Sequence, residues 1–169
     1  MTILAFPTKL QGAEHQQRPE IHLDLHRERS VTMLDWQARI IEECHRHDTL
    51  NPALIGALER MNLLDRCTFL ASDYAGGPLR FRFIGCPTIL VLGRAWARTN
   101  LGRPHEENLH AEFPVSLGAE YVKAIGGEVV HNRINMSGAG AVPSYTHALV
   151  GWRAADGREA VLSAIALAA

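Results

Sequence analysis

Residues 66–85, RCTFLASDYAGGPLRFRFIG, decide the fold class of this chain. They contain two largely apolar runs, which are separated by the turn-rich link at residues 74–78. In the second run, large apolar residues alternate with Arg80 and Arg82. Because successive side chains of a strand point to opposite faces, this alternation is typical of a strand with one apolar and one charged face. The stretch therefore predicts two neighbouring β-strands joined by a turn.

The chain after this pair predicts helices first and then three further strands. Pro87 suits the start of a short helix, and the charged residues 94–112 suit loops and short turns. Pro114 opens a longer helical stripe, which Gly126 and Gly127 end. The three closing strands are expected near residues 128–136, 144–153 and 159–168. This order predicts an α+β domain with a five-stranded antiparallel sheet and its helices inserted between strands two and three.

The N-terminal part predicts an arm followed by a helical hairpin. We expect residues 1–30 to form the arm, 31–64 the hairpin and 65–169 the α+β domain. Within the arm, IHLDLHR at residues 21–27 alternates like a strand. In the hairpin, Thr32 with Asp35 is a cap signal for the first helix, and Asn51-Pro52 for the second. The first helix carries an apolar stripe, which must pack on the domain or on another chain: Met33, Trp36, Ile40 and Cys44.

Several short segments within residues 52–168 resemble the PAS superfamily of sensory domains, in particular small stand-alone bacterial PAS-like proteins. The pieces that carry the resemblance are LRFRFIG ending at Gly85, ILVLG ending at Gly93, ARTNLG ending at Gly102, AEYVKAIGGEVV at 119–130 and YTHALVGW at 145–152. The resemblance implies a curved five-stranded sheet with helices across one face. The space between them would hold a small ligand or a packed core. Such domains act by sensing and by dimerising, and their N-terminal helix often forms part of the dimer contact.

A ligand in that space would contact apolar and aromatic residues, with a few polar groups to orient it. The same apolar residues equally fit a plain core. The candidates are Phe81, Phe83, Leu92, Trp96, Tyr121, Ile125, Ile134 and Trp152, with Asn132 and Thr146 as the orienting polar groups.

Histidines suggest three other kinds of site. The stretch HEENLH at residues 105–110 has its two histidines five positions apart, which a zinc-binding helix does not allow, so a solvated charged loop over the mouth of the domain is expected. His22, Asp24 and His26 alternate on one strand face and suit either a metal or solvent. A further pair on neighbouring strands, sharing one face, would suit a ligand or haem: His131 and His147.

Composition narrows the function classes. The net charge is −1 with neutral histidines, so nucleic-acid binding is not expected. No run of about 18 apolar residues predicts a membrane span, and the N-terminus lacks the features of a signal peptide. The three widely spaced cysteines form no CxxC pair, which indicates reduced thiols in a cytoplasmic protein.

The sequence contains no nucleophile motif, and the carboxylates of Asp73 and Glu120 have no visible partner. We therefore expect a sensory or signalling domain without catalysis of its own, which binds a small ligand or a protein. It would form a homodimer through the 33–47 helix and pass its signal to an output protein in trans. The cofactor is left open. The alternatives are a small α+β enzyme whose cavity carries His131 and His147, a haem or metal sensor, and a structural module with a filled core.

Overall fold

The computed structural model describes residues 24–28, 32–107, 112–137 and 144–167. These residues form an α+β fold. Its strands are β1 Asp24–Glu28, β2 Cys67–Ala71, β3 Arg80–Phe83, β4 Val130–Ser137, β5 Tyr145–Arg153 and β6 Glu159–Leu167. Its α-helices are α1 Asp35–Cys44, α2 Pro52–Arg60, α3 Cys86–Leu92, α4 Arg94–Asn100 and α5 Glu112–Ile125, and two short 3-10 helices span Leu64–Arg66 and His105–Glu107.

The strands form one antiparallel sheet in the order β1-β4-β5-β6-β2-β3. This confirms the predicted α+β class, but the expected number of five strands is wrong, because the sheet has six. The additional strand is β1, which comes from the predicted arm. It pairs with β4 from Asp24 opposite Ser137 to Glu28 opposite Arg133.

Helices cover both faces of this sheet. Strands β5 and β6 turn alternate residues to opposite sides, so Val150 packs in one core cluster with α1 and α2, and Leu149 in another with α4 and α5. The apolar stripe of α1 is covered within the chain, since Ile40 and Cys44 are fully buried in the first cluster. That stripe motivated the homodimer prediction, which stays a prediction without this support.

Helix α5 crosses the second face at very close range. A Cβ atom on Gly151 of β5 would lie 2.4 Å from the backbone nitrogen of Ile125 and 2.5 Å from the carbonyl carbon of Ala124. Glycine is therefore required at this crossing, and it fixes how closely the long helix approaches the sheet.

Local signals at the helix starts had mixed outcomes. Asn51 caps α2 as expected, accepting a hydrogen bond of 2.9 Å from the backbone N–H of Leu54. The expected Thr32 cap is wrong, because α1 begins after Leu34. Residues 94–112 were expected to lack a helix of this length, yet they contain α4. None of the described helices has the length and apolar character needed to cross a membrane.

Candidate functional site

A small cavity lies between the sheet and the helices α3, α4 and α5. Its volume is about 50 Å³, which is room for a few water-sized groups. Most of its surface is apolar. The residues that line it are Thr68, Phe81, Thr88, Val91, Leu92, Trp96, His105, Leu117, Tyr121, Tyr145, His147, Ser163 and Ile165.

Polar groups from the sheet and α5 reach this cavity. Tyr145 and His147 are two residues apart on β5 and therefore share the face that α5 covers, and Ser163 of β6 points to the same side. Tyr121 comes from α5 itself. Burial, and then the negative charge of Glu120, raises the pKa of Tyr121 well above its ordinary value. Burial likewise raises the pKa of Tyr145, followed by the ionised form of Tyr121 and by the carboxylate of Glu120, whereas the charge of Arg27 lowers it. Both phenols therefore stay protonated and act as hydrogen-bond donors.

Behind His147 lies a buried carboxylate with three partners. Oε1 of Glu120 accepts hydrogen bonds from Nε of Arg27 at 2.5 Å and from Nδ2 of Asn132 at 2.8 Å. Oε2 lies 2.8 Å from Nε2 of His147, and the two side chains are only 8% and 2% exposed. The carboxylate thus joins β1, β4 and β5 to helix α5.

The charge state of Glu120 follows from these partners. Burial alone would raise the pKa of Glu120, but the hydrogen bonds and charges of His147 and Arg27 outweigh it and hold the pKa below its ordinary value. A carboxylate only accepts hydrogen bonds, so the neighbouring Nε2 of His147 carries the proton. Nδ1 is then the remaining polar atom of the imidazole, and it accepts when the ring is neutral.

Three further polar side chains that line the cavity are held by internal hydrogen bonds. The hydroxyls of Thr68 and Thr88 lie 2.7 Å apart, and Thr68 also accepts from the backbone N–H of Gly85 at 3.2 Å. Nδ1 of His105 donates to the backbone oxygen of Leu79 at 3.3 Å, since a carbonyl can only accept. Burial lowers the pKa of His105, which the bond to Leu79 and the charge of Glu106 oppose only in part. His105 therefore carries no positive charge at neutral pH.

The structure brings four of the predicted ligand contacts together at the cavity: Phe81, Leu92, Trp96 and Tyr121. Phe81 and Trp96 stack edge to face with their ring centroids 5.4 Å apart. The other candidates lie elsewhere. Phe83 stacks on Phe69 at 5.5 Å instead, because a bulge between β2 and β3 ends the simple alternation with Phe81.

Two predicted residues of β5 face the α1–α2 side. Thr146 lies 3.5 Å from Nε2 of Gln37, and the indole N–H of Trp152 donates to the backbone oxygen of His47 at 2.8 Å. Asn132 binds Glu120 rather than lining the cavity. The two remaining candidates are buried or partly buried residues outside the cavity lining: Ile125 and Ile134.

The histidine predictions also change. His147 is opposite Asn132 in the β4–β5 register, so His131 and His147 point to opposite faces and the expected shared face is wrong. The expected solvated loop is wrong at His105, which is buried. Of the metal trio, His22 lies outside the described residues and His26 is exposed. His110 also lies outside them. Among the residues that the structure describes, no group of three His, Cys, Asp or Glu could hold a metal ion.

Sequence reasoning missed the most important residue of the site. Glu120 was expected to lack a partner, and this is wrong, because its partners lie far away in the chain: Arg27 is 93 residues and Asn132 is 12 residues distant. Asp73, expected to be equally isolated, contacts Arg80 and Arg82. The period-two pattern of β5 could have placed Tyr145 beside His147, but no local signal connects either residue to Glu120.

Comparison of the chain with protein-family models, characterised proteins and solved structures gave no significant match. The functional argument therefore depends on the cavity and on the polar groups around it.

Proposed function

We propose that this chain is a PAS-like sensory or signalling domain that binds a small ligand between its sheet and the helices α3–α5. The observation that carries the proposal is the cavity itself. It combines apolar walls with several polar groups, which is the usual composition of a small-molecule site.

The topology supports the same proposal. If the edge strand β1 is set aside, helices α3–α5 are inserted between the second and third of the remaining five strands, as the PAS resemblance implies. These helices also form the wall of the cavity, so a ligand would contact the elements that are free to respond to it. The signal would pass to an output protein in trans. A reducing cytoplasm suits the free thiols of Cys44 and Cys67, which are buried, and burial raises the pKa of Cys44 to about 12.

One observation favours an enzyme as the second candidate. Glu120 orients His147 as a carboxylate orients the imidazole of a general base, and His147 lines the cavity. The haem alternative is disfavoured by size, because a cavity of about 50 Å³ is far smaller than a porphyrin.

Native mass spectrometry of freshly purified protein tests the proposal. We expect a species heavier than the 18.7 kDa chain by the mass of a small molecule. Leu92→Trp should abolish it by filling the cavity, whereas Leu90→Trp should keep it, because Leu90 lies on the same helix but is 74% exposed.

Xenon provides a measurement that does not need a retained ligand, since it enters apolar cavities of proteins. Under xenon pressure, amide resonances of cavity residues such as Tyr121 and Ser163 should shift in the wild type and in Leu90→Trp, but not in Leu92→Trp. A wild type with neither a retained molecule nor xenon shifts would contradict the proposal.

A further inference from the structure

Three hydroxyl groups come from buried side chains that line the cavity. They belong to Tyr121, Tyr145 and Ser163, which are 5%, 4% and 5% exposed. No hydrogen bond joins any of these hydroxyls to another described residue. A bound molecule in the cavity can supply the hydrogen bonds that these hydroxyls do not make within the chain.

The donors and acceptors that these side chains present to the cavity can be assigned. Both phenols are protonated, since burial raises their pKa values, so each presents a donor. Ser163 can donate or accept, and His147 presents Nδ1 because its Nε2 faces Glu120. A ligand with an accepting oxygen would therefore meet two or three donors at once.

The charges around the cavity favour a neutral ligand over an anion. The guanidinium of Arg27 pairs with the carboxylate of Glu120, and Arg27 is not among the residues that line the cavity. The carboxylate of Glu120 itself stands directly behind His147 and repels a second negative charge. His105, whose ring centroid lies 5.2 Å from that of Tyr121, is kept neutral by burial. No uncompensated positive charge among the described lining residues would hold a carboxylate.

On the basis of the proposed function, we infer that the cavity binds a small neutral carbonyl compound, such as a ketone, whose oxygen accepts hydrogen bonds from Tyr121 and Tyr145. The rest of such a molecule would lie against Phe81 and Leu92. The volume of about 50 Å³ limits the ligand, in this closed state, to a few heavy atoms.

Two probes of the same shape test this inference: butanone, and 2-methyl-1-butene, in which a CH₂ group replaces the carbonyl oxygen. Their affinities are measured by amide shift titration of the wild type, Tyr121→Phe and Tyr145→Phe. Each phenylalanine should weaken butanone about 2- to 10-fold, as expected for one neutral hydrogen bond, and leave the alkene unchanged. Tyr74→Phe is the control, because Tyr74 is 61% exposed and far from the lining.

The possible results separate the two proposals. Butanone affinities that are unaffected in both variants, or an alkene affinity that falls in parallel, would overturn the carbonyl inference while the cavity stands. Binding of neither probe would overturn the proposed function together with it.

Infrared spectroscopy decides the question even if a variant does not fold. The carbonyl stretch of ¹³C-labelled butanone bound to the wild type should lie below its frequency in hexane, because hydrogen-bond donation to the oxygen weakens the C=O bond. A stretch at the hexane frequency would overturn the inference.

Discussion

Replacement of Glu120 by glutamine is the most direct test of the buried polar cluster. Glutamine has nearly the same shape but no charge and only one accepting oxygen. Its oxygen can take the place of Oε1 and keep both bonds, to Arg27 and Asn132, but this places the amide N–H₂ against Nε2 of His147. The change thus removes charge and hydrogen bonds while it conserves packing.

The expected loss is about 2–4 kcal/mol of unfolding free energy at neutral pH. A hydrogen bond to a charged group contributes about 1.5–3 kcal/mol, and the contact between Glu120 and His147 is fully buried. Arg27 contributes less, at most about 1 kcal/mol, because its side chain is 26% exposed and solvent screens the pair.

Urea unfolding followed by tryptophan fluorescence measures this loss. With a slope of about 2 kcal/mol per molar urea, the midpoint should fall by about 1–2 M. The matched control is Glu128→Gln, which removes the same charge at an exposed site near the end of the same helix and should cost less than about 0.5 kcal/mol.

The pH dependence adds an independent readout. The folded-state pKa of Glu120 is below the ordinary value of 4.5, so the unfolded chain takes up this proton first as the pH falls. The stabilisation is therefore complete above pH 4.5 and is lost as the pH drops through the folded-state pKa. Glu120→Gln should lack this loss. If the wild type and Glu120→Gln were equally stable at neutral pH and had the same acid dependence, the reasoning would be refuted.

Three further variants test the packing and the second titrating group. Gly151→Ala should cost about 1–3 kcal/mol of unfolding free energy in urea, since its Cβ would lie 2.4 Å from the backbone of α5. The control is Gly118→Ala in α5, which has no atom closer than 3.9 Å and should be neutral or stabilising. Equal effects of the two variants would contradict the close crossing. Ile40→Ala should cost about 2–5 kcal/mol, and the loss should be the same at low and high protein concentration, because α1 packs within its own chain; a concentration-dependent loss would instead support the homodimer. Because the folded-state pKa of His105 is lowered, the wild type should lose stability as the pH falls below 6.5 towards that pKa. His105→Phe should not show this loss. A pH profile in this range that equals that of the wild type would contradict the assignment.

Sequence periodicity was sufficient for the elements whose packing is repetitive. The alternation of Phe81 with its arginine neighbours predicted a strand that the structure contains, and the three closing strands were predicted close to their observed bounds. The first turn of α2 was equally predictable, because the Asn51 cap is a local interaction. These features depend on residues a few positions apart, and a single sequence displays them.

The site itself depends on register, which a single sequence does not display. The alternation of β3 suggested that Phe83 shares the face of Phe81, but one extra residue in the pairing with β2 turned it to the other side. In the same way, His131 and His147 were expected on one face until the β4–β5 pairing placed Asn132 opposite His147. Each error came from a shift by one residue, which exchanges the two faces of a strand.

The buried carboxylate supplies a physical reason for the register that is observed. Glu120 contacts Arg27 of β1, Asn132 of β4 and His147 of β5. A one-residue slip of β1 or β4 would turn Arg27 or Asn132 away from α5 and leave a buried charge short of partners, which costs several kcal/mol. Apolar packing alone penalises such a slip less at an edge strand. Since the same carboxylate holds the proton on Nε2 of His147, the pairing of β1 with β4 and the hydrogen-bonding character of the cavity are determined by one side chain.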